Sequence, residues 1–317
     1  MGDRAAAGMT RNGDYTKPRI MDHTPKAVHD NDLAVLEVRL PAEHSVPLVF
    51  ASPHSGCDYP AEFLAASVLD PVTLRRSEDS FVHDLFGAAA SRGAPLIRAL
   101  FPRAYVDPNR EPYELDPAMF ADPLPEYVNT RSPRVAAGLG TIARVVANGA
   151  QIYGRKLRFA EAEHRINTCY RPYHSRLQAL VDATMRRFGC CVLVDCHSMP
   201  SSGRPMDEGR APGGVDIVLG DCFGTSCASA VSEAAEKCLR ERRYRVVRNA
   251  PYAGGFTTRH YGRPGIGVHA LQVEINRRLY MDEIAFERGP GFRQLTDHIS
   301  ALIDALAAIP REELLPP

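Results

Sequence analysis

The sequence predicts an α/β fold built on a mostly parallel sheet with helices on both faces, and three observations lead there. The apolar runs Pro47-Leu48-Val49-Phe50-Ala51-Ser52 and Val192-Leu193-Val194 are too continuous for half-exposed strands and read as buried ones. Each breaks at once into polar residues, Pro53-His54-Ser55-Gly56 in the first case and Asp195-Cys196-His197-Ser198 in the second. From Val215 onwards strand and helix patterns alternate, as βα units do in a sheet covered on both sides. The 317 residues, 44% of them hydrophobic, suffice for one large α/β domain.

Residues 1–31 are polar and mixed in charge and are expected to form a mobile arm ahead of a single domain spanning 32–317. Residues 33–40 alternate well enough for a strand, placed at an edge. After the His54 loop, Ser77-Glu78-Asp79-Ser80 precedes Phe81, Val82, Leu85, Phe86 and Ala89 at helical spacing, which suits Ser77 or Asp79 to cap a helix. Residues 95–100 and 104–106 read as two strands, the second running into Asp107-Pro108-Asn109-Arg110. Residues 112–140, rich in Pro and Asp and without periodicity, read as a long loop or lid. Residues 154–167 and 172–188 carry helical periodicity and read as a helical pair, the second with Leu177, Leu180, Val181 and Met185 on one face. Strands at 215–219, 244–247 and 270–275, helices at 226–242 and 292–308, and a loop containing Gly254-Gly255 complete the pattern.

Several function classes are disfavoured. Lys plus Arg and Asp plus Glu both total 38, so the whole-chain field does not steer nucleic acid or an anionic membrane. The N-terminal segment lacks the apolar stretch of a signal peptide and no later run is long enough to span a bilayer, so a soluble, cytoplasmic protein is expected. The eight cysteines include an adjacent pair and no CxxC, which predicts reduced, mostly buried thiols. Neither GxGxxG nor GxxxxGK[ST] occurs, which argues against nucleotide binding.

In open α/β sheets, residues far apart in sequence meet beyond the carboxyl ends of the strands, and His54 and His197 both fit that position. Two histidines and one carboxylate suffice for a zinc site with an open position, where bound water reaches a pKa of about 7. The carboxylate candidates are Glu78, Asp79, Asp195 and Glu274, and spacing alone does not choose among them. Asp195, two residues before His197 on the same strand, suits a partner that fixes the imidazole tautomer. Glu274, at the end of Leu271-Gln272-Val273, is expected to be buried with a raised pKa and to act as general base, unless it pairs with Arg277 or Arg278.

Ser52-Pro53-His54-Ser55-Gly56, the Asp79 helix start, Pro172-Tyr173-His174, Asp195-Cys196-His197-Ser198 and Gln272-Val273-Glu274-Ile275-Asn276-Arg277 together resemble the N-formylglutamate amidohydrolase family, over residues 46–281 and in the family's order. That family is similar to the zinc carboxypeptidase and aspartoacylase group. The resemblance implies a three-layer α/β/α sandwich of the zinc-dependent exopeptidase kind, with one zinc ion per chain at the carboxyl ends of the central strands. It implies His54, Asp79 and His197 as zinc ligands, with Glu78 as the fallback, and Glu274 as general base. It also implies cleavage of N-formyl-L-glutamate to formate and L-glutamate, in histidine breakdown.

A dianionic N-acyl amino acid calls for arginines. Asn109-Arg110 resembles the Asn-Arg pair with which zinc carboxypeptidases grip a carboxylate, while Arg171, His174 and Arg259 lie in motif-bearing segments and are further substrate-binding candidates. Arg-Ser-Glu-Asp-Ser around Asp79 departs from better-known members, so hydrolysis of another N-acyl amino acid or small peptide stays open. So do a binding protein of the same fold without turnover and, least favoured because no GxSxG is present, a metal-independent serine hydrolase.

Overall fold

The computed structural model describes the backbone of residues 26–28 and residues 34–146, 148–201 and 214–316. In chain order the strands are β1 (Lys26–Val28), β2 (Leu36–Arg39), β3 (Leu48–Ser52), β4 (Asp58–Pro60), β5 (Leu96–Ala99), β6 (Cys191–Met199), β7 (Ile217–Gly220), β8 (Val246–Arg248), β9 (Val268–Asn276) and a short antiparallel pair, β10 (Met281–Asp282) and β11 (Glu287–Arg288). The helices are α1 (Ala61–Ala66), α2 (Pro71–Arg75), α3 (Val82–Leu85), α4 (Pro133–Ala136), α5 (Phe159–Arg165), α6 (Arg171–Phe188), α7 (Ser229–Glu241), α8 (Phe256–Tyr261) and α9 (Phe292–Ala307). Seven strands form one sheet in the order β2-β5-β3-β6-β9-β7-β8. Four of its six neighbouring pairs are parallel, while β2–β5 and β7–β9 are antiparallel.

The apolar runs form strands because alternate residues feed two separate cores. Val49, Ala51, Ile97, Leu193 and Ala270 pack on one face with Leu177, Leu180 and Val181 of α6. Leu48, Phe50, Val192, Val194, Leu271 and Val273 pack on the other with Val231 and Leu239 of α7 and Ile299 and Leu302 of α9. Continuous hydrophobicity is what a strand buried on both faces requires, and the result is the expected three-layer sandwich. After β3 the chain crosses to β5 on one side, and after β6 it builds the opposite half, so β3 and β6 flank the switch point where α/β sheets place ligands.

Some elements differ from expectation. Residues 104–106 form a turn and no strand; Tyr105 donates back to the Pro102 carbonyl at 2.9 Å, and the side chains of Ala104, Tyr105 and Val106 pack locally into the α6-side core. The helix expected after Asp79 is one turn, α3, followed by a 3-10 stretch at Gly87–Arg92, and the side chains of Ser77 and Asp79 do not cap it. The helical pair at 154–188 is continuous from Phe159 to Phe188, because a π turn at Ile166–Tyr170 joins α5 to α6. Pro172 explains the π turn, since its ring and missing N–H would clash with an unbroken α-helical ladder one turn back.

Within the segment expected as a mobile arm, β1 pairs in parallel with β4 beside the His54 loop, and the remainder of that arm lies outside the described residues. Residues 112–140 are irregular apart from α4 and a 3-10 turn at Pro117–Met119, yet they are anchored at their end by the Leu139 carbonyl, which accepts from Arg110 Nε at 2.9 Å. The eight cysteines are free thiols and none joins the histidines discussed below. Among the described residues no helix is long and apolar enough to cross a membrane.

Candidate metal centre and active site

His54 follows β3, where Pro53 stops the ladder, and Gly56 lets the loop fold against β5: a Cβ there would sit 2.2 Å from the Phe101 carbonyl oxygen. The Asp79 N–H donates to the His54 carbonyl at 2.9 Å, tying the two loops together. His197 lies within β6, on the face that carries Leu193. Three ligating atoms therefore converge. Asp79 Oδ2 is 3.1 Å from His197 Nδ1 and 3.5 Å from His54 Nδ1, and all three lie within 4.8 Å of one another.

The residues fit a metal ion on two grounds. Ligands about 2.0–2.1 Å from a tetrahedral zinc ion stand roughly 3.3 Å apart, close to both distances from Asp79. His54 Nδ1 is buried and has no hydrogen-bond partner, a cost that a ligand bond removes. The outer nitrogens both face carboxylates, as those of metal-bound imidazoles usually do, the His54 one through a hydrogen bond and the His197 one through an ion-pair contact. His54 Nε2 lies 2.7 Å from Asp107 Oδ1, and His197 Nε2 lies 2.9 Å from Asp195 Oδ1.

The electrostatics point the same way. Burial alone would raise the Asp79 carboxyl, but the hydrogen bond from His197 and the neighbouring His54 imidazole and Arg277 charge hold it well below the usual range. Burial alone would lower the His197 imidazolium, but Asp195, Asp79 and Glu274 raise it well above its ordinary value. Two imidazoles are thus packed among carboxylates, an environment that favours a cation.

Glu274 is the cross-strand partner of His197 in the β6–β9 register, so both side chains leave the same face on adjacent strands. Burial pushes its carboxyl up to about 7; Asp79 and Asp195 add to the rise while His197 and Arg103 oppose it. Gln272 Nε2 donates to Glu274 Oε1 at 3.0 Å. The alternative pairing with Arg277 or Arg278 is not formed: Arg277 bonds Asp79 Oδ1 at 3.0 Å, and Arg278 bonds Asp216 at 2.6 Å.

Glu78 points away from the cluster. Its carboxylate accepts from Tyr59 Oη at 2.7 Å, Ser80 Oγ at 3.0 Å and Arg75 Nε at 3.1 Å, so all its capacity is spent in a separate buried network.

The substrate-binding candidates fall in three kinds of place. Asn109 is a brace at the cluster: its Nδ2 donates to Asp195 Oδ2 at 3.2 Å and lies 3.0 Å from His197 Nε2, while its Oδ1 accepts from the Thr257 N–H at 2.8 Å. Gly255 permits this, since a Cβ there would meet the Asn109 amide at 2.3 Å; the Gly254-Gly255 pair serves close packing. Arg110 is buried, spends two nitrogens on the carbonyls of Leu139 and Asn109, and reaches Asp107 only at 3.9 Å. Burial depresses its guanidinium to about 10, so it favours a further anion.

His174 does not face the cluster. It joins Tyr261 Oη at 2.9 Å to the Pro108 carbonyl at 2.8 Å, and burial lowers it to about 4, so it holds the Asn109 turn as a neutral ring. Arg171 is exposed and held by Asn167 and Tyr113, and Arg259 is exposed and donates to the Gly254 carbonyl.

Two residues at the site were missed in the sequence. Asp107 braces His54 and receives Arg103 Nη2 at 2.7 Å; the Arg103 side chain is 23% exposed, and its charge bears on Asp79 and Glu274. The only sequence signal was an acid beside Pro108-Asn109-Arg110.

Comparisons with known proteins point to one family. The profile of the N-formylglutamate amidohydrolase family matches residues 46–281. An N-formylglutamate deformylase of Pseudomonas aeruginosa is 30% identical over 245 residues, covering 76% of this chain and 84% of that protein. That of Pseudomonas putida is 27% identical over 239 residues, covering 75% and 83%. The crystal structure of an N-formylglutamate amidohydrolase from Ralstonia eutropha JMP134 superposes with a TM-score of 0.79 at 38% identity, over 89% of this chain and 99% of that one. A gene product of Agrobacterium tumefaciens, with a TM-score of 0.60 at 19% identity over 87% and 96%, speaks for the fold alone.

Proposed function

This chain belongs to the N-formylglutamate amidohydrolase family and is an amidohydrolase, and from that premise we propose that it cleaves N-formyl-L-glutamate to formate and L-glutamate with one zinc ion held by His54, Asp79 and His197. The observation that carries the reading is the convergence of their three ligating atoms within 4.8 Å, with Glu274 in register beside His197. When bound, the ion supplies Lewis acidity toward the acyl oxygen and the attacking water.

The chain's own residues do the rest. Asp107 and Asp195 hold the outer imidazole nitrogens, so that both Nδ1 atoms stay directed at Asp79 Oδ2. Glu274, with its carboxyl near 7, takes the proton of the attacking water and returns it to the leaving amine nitrogen. Arg103 is the cation beside the cluster that keeps some solvent access, and it is assigned to the developing oxyanion. Arg110, buried and short of an anion, takes one substrate carboxylate, and Arg171 and Arg259 are the candidates for the second. Asn109 and His174 shape the pocket from behind. The setting that matches this chemistry is cytoplasmic histidine breakdown.

The test is formate release from N-formyl-L-glutamate by zinc-loaded, chelator-stripped and reloaded protein, with N-acetyl and N-succinyl glutamate alongside. Release that is lost on stripping and restored by zinc supports the reading. Stoichiometric zinc with faster turnover of another acyl group moves the substrate assignment to that group.

A further inference from the structure

We propose that Arg277 is a positioning residue that pins one oxygen of Asp79, so that only Oδ2 is offered to the ion; the inference rests on the metal reading above. The Arg277 guanidinium is buried and each of its nitrogens has a fixed partner. Nη2 donates to Asp79 Oδ1 at 3.0 Å, Nε to Ser198 Oγ at 3.2 Å, and Nη1 to the Arg76 carbonyl at 3.2 Å. Those partners sit on the two segments that carry metal candidates: Ser198 follows His197 in β6, and Arg76 lies three residues before Asp79. A guanidinium held this way cannot swing aside as a surface arginine does.

The two oxygens of Asp79 are therefore divided between a cation of the protein and the two imidazoles, which Oδ2 faces at 3.1 and 3.5 Å. The main chain at Asp79 is fixed by its bond to the His54 carbonyl, but the last torsion of an aspartate is soft. Arg277 is what fixes that torsion. A carboxylate with both oxygens free can chelate, which adds an oxygen to the ion and weakens its pull on substrate. A hydrogen bond from a cation to Oδ1 also draws charge away from the carboxylate, with the same benefit. Arg277 follows Glu274 by three positions, immediately after β9, so one stretch of chain supplies both the base and the pin.

The full chain, stripped and reloaded with cobalt(II) alone, tests this through its visible absorption, which reports the number of ligand atoms, together with kcat and KM. Wild type is expected to take one cobalt per chain. Arg277→Met is expected to change the band intensity by about twofold or more and to lower kcat about 10- to 100-fold, with KM within about threefold. A merely structural Arg277 would lower the stability of the metal-free protein and leave band and kcat unchanged; that result overturns the proposal. If Arg277→Met does not fold, Arg277→Lys decides. One ammonium cannot hold Asp79, Ser198 and Arg76 together, so a kcat loss of at least about threefold is required, and wild-type behaviour overturns the inference. A wild-type protein that takes up no stoichiometric cobalt sinks the metal reading itself, and the pin with it.

Discussion

Replacing Glu274 by Gln separates the roles assigned around the cluster, because Glu274 is not one of the three converging ligands and yet touches their chemistry. Glutamine keeps the shape and can still meet Gln272. It cannot accept a proton. Losing a positioned general base costs about 10²–10⁴ in rate, or about 3–5 kcal/mol of barrier. The zinc-loaded variant should therefore release formate at least about a hundredfold more slowly while binding zinc as tightly as wild type. Stability carries a second, independent signature. The folded-state pKa of Glu274 is raised from 4.5 to about 7, so the ionised carboxylate is costly in the metal-free fold. That cost is absent below about pH 4.5, grows as pH rises towards 7, and then levels near 3 kcal/mol as an upper figure. Metal-free Glu274→Gln should thus unfold at a higher temperature than wild type at pH 8 and at a similar one at pH 4.5. Turnover within tenfold of wild type in a zinc-replete variant would refute the base assignment. A stability gain equal at both pH values would refute its electrostatic origin.

Other expectations follow from neighbouring contacts. The acidic limb of kcat/KM in wild type should lie at or below about pH 7, because a bound cation favours the Glu274 carboxylate over its value in the metal-free fold; a limb well above 7 in a pH-rate profile would contradict the assignment. Asp107→Asn, which weakens the brace on His54 Nε2, should reduce zinc affinity by about 10- to 100-fold in a chelator competition. Arg110→Lys keeps the charge and loses the fork, and should raise KM for N-formylglutamate by about tenfold or more with a smaller change in kcat, as read from steady-state kinetics. Gly255→Ala drives a methyl into the Asn109 amide and should lower stability by about 1–3 kcal/mol, with loss of formate release, as measured by denaturant unfolding and activity together.

The parts of the site legible in the sequence were those borne by strands buried on both faces. His54, His197 and Glu274 each end or interrupt an apolar run, and a polar group at such a place stands out because burying it needs a reason. The fold class was legible for the same cause. Asp107 and Arg103 were not, because they sit on an irregular turn whose partners are more than fifty residues away or come from within the turn, and no periodicity marks such a contact. Asp79 and Glu78 are adjacent acids whose difference lies wholly in direction: one turns to the imidazoles, the other to Tyr59 and Arg75. Periodicity suggested two helices, at 154–167 and 172–188, whereas the chain bridges the gap with a π turn and runs on. The antiparallel setting of β7 on β9 was equally invisible, since strand direction depends on the path of connections and not on the strand's own residues.

The pairing of His197 with Glu274 across β6 and β9 also bears on how such an enzyme can change. Neighbouring strands lie about 4.8 Å apart whatever the loops do, so ligand and base keep their spacing as a property of the sheet. Their alignment does not have to be rebuilt in each catalytic cycle by a closing segment. The turn bearing Arg110, and residues 112–140, which meet Arg110 through the Leu139 carbonyl, lie outside that frame. Exchange within residues 112–140 is therefore a route to new acyl or amino acid preferences that leaves ligand and base undisturbed, provided that Arg103, Asp107 and Asn109, which brace the centre from the neighbouring turn, are kept.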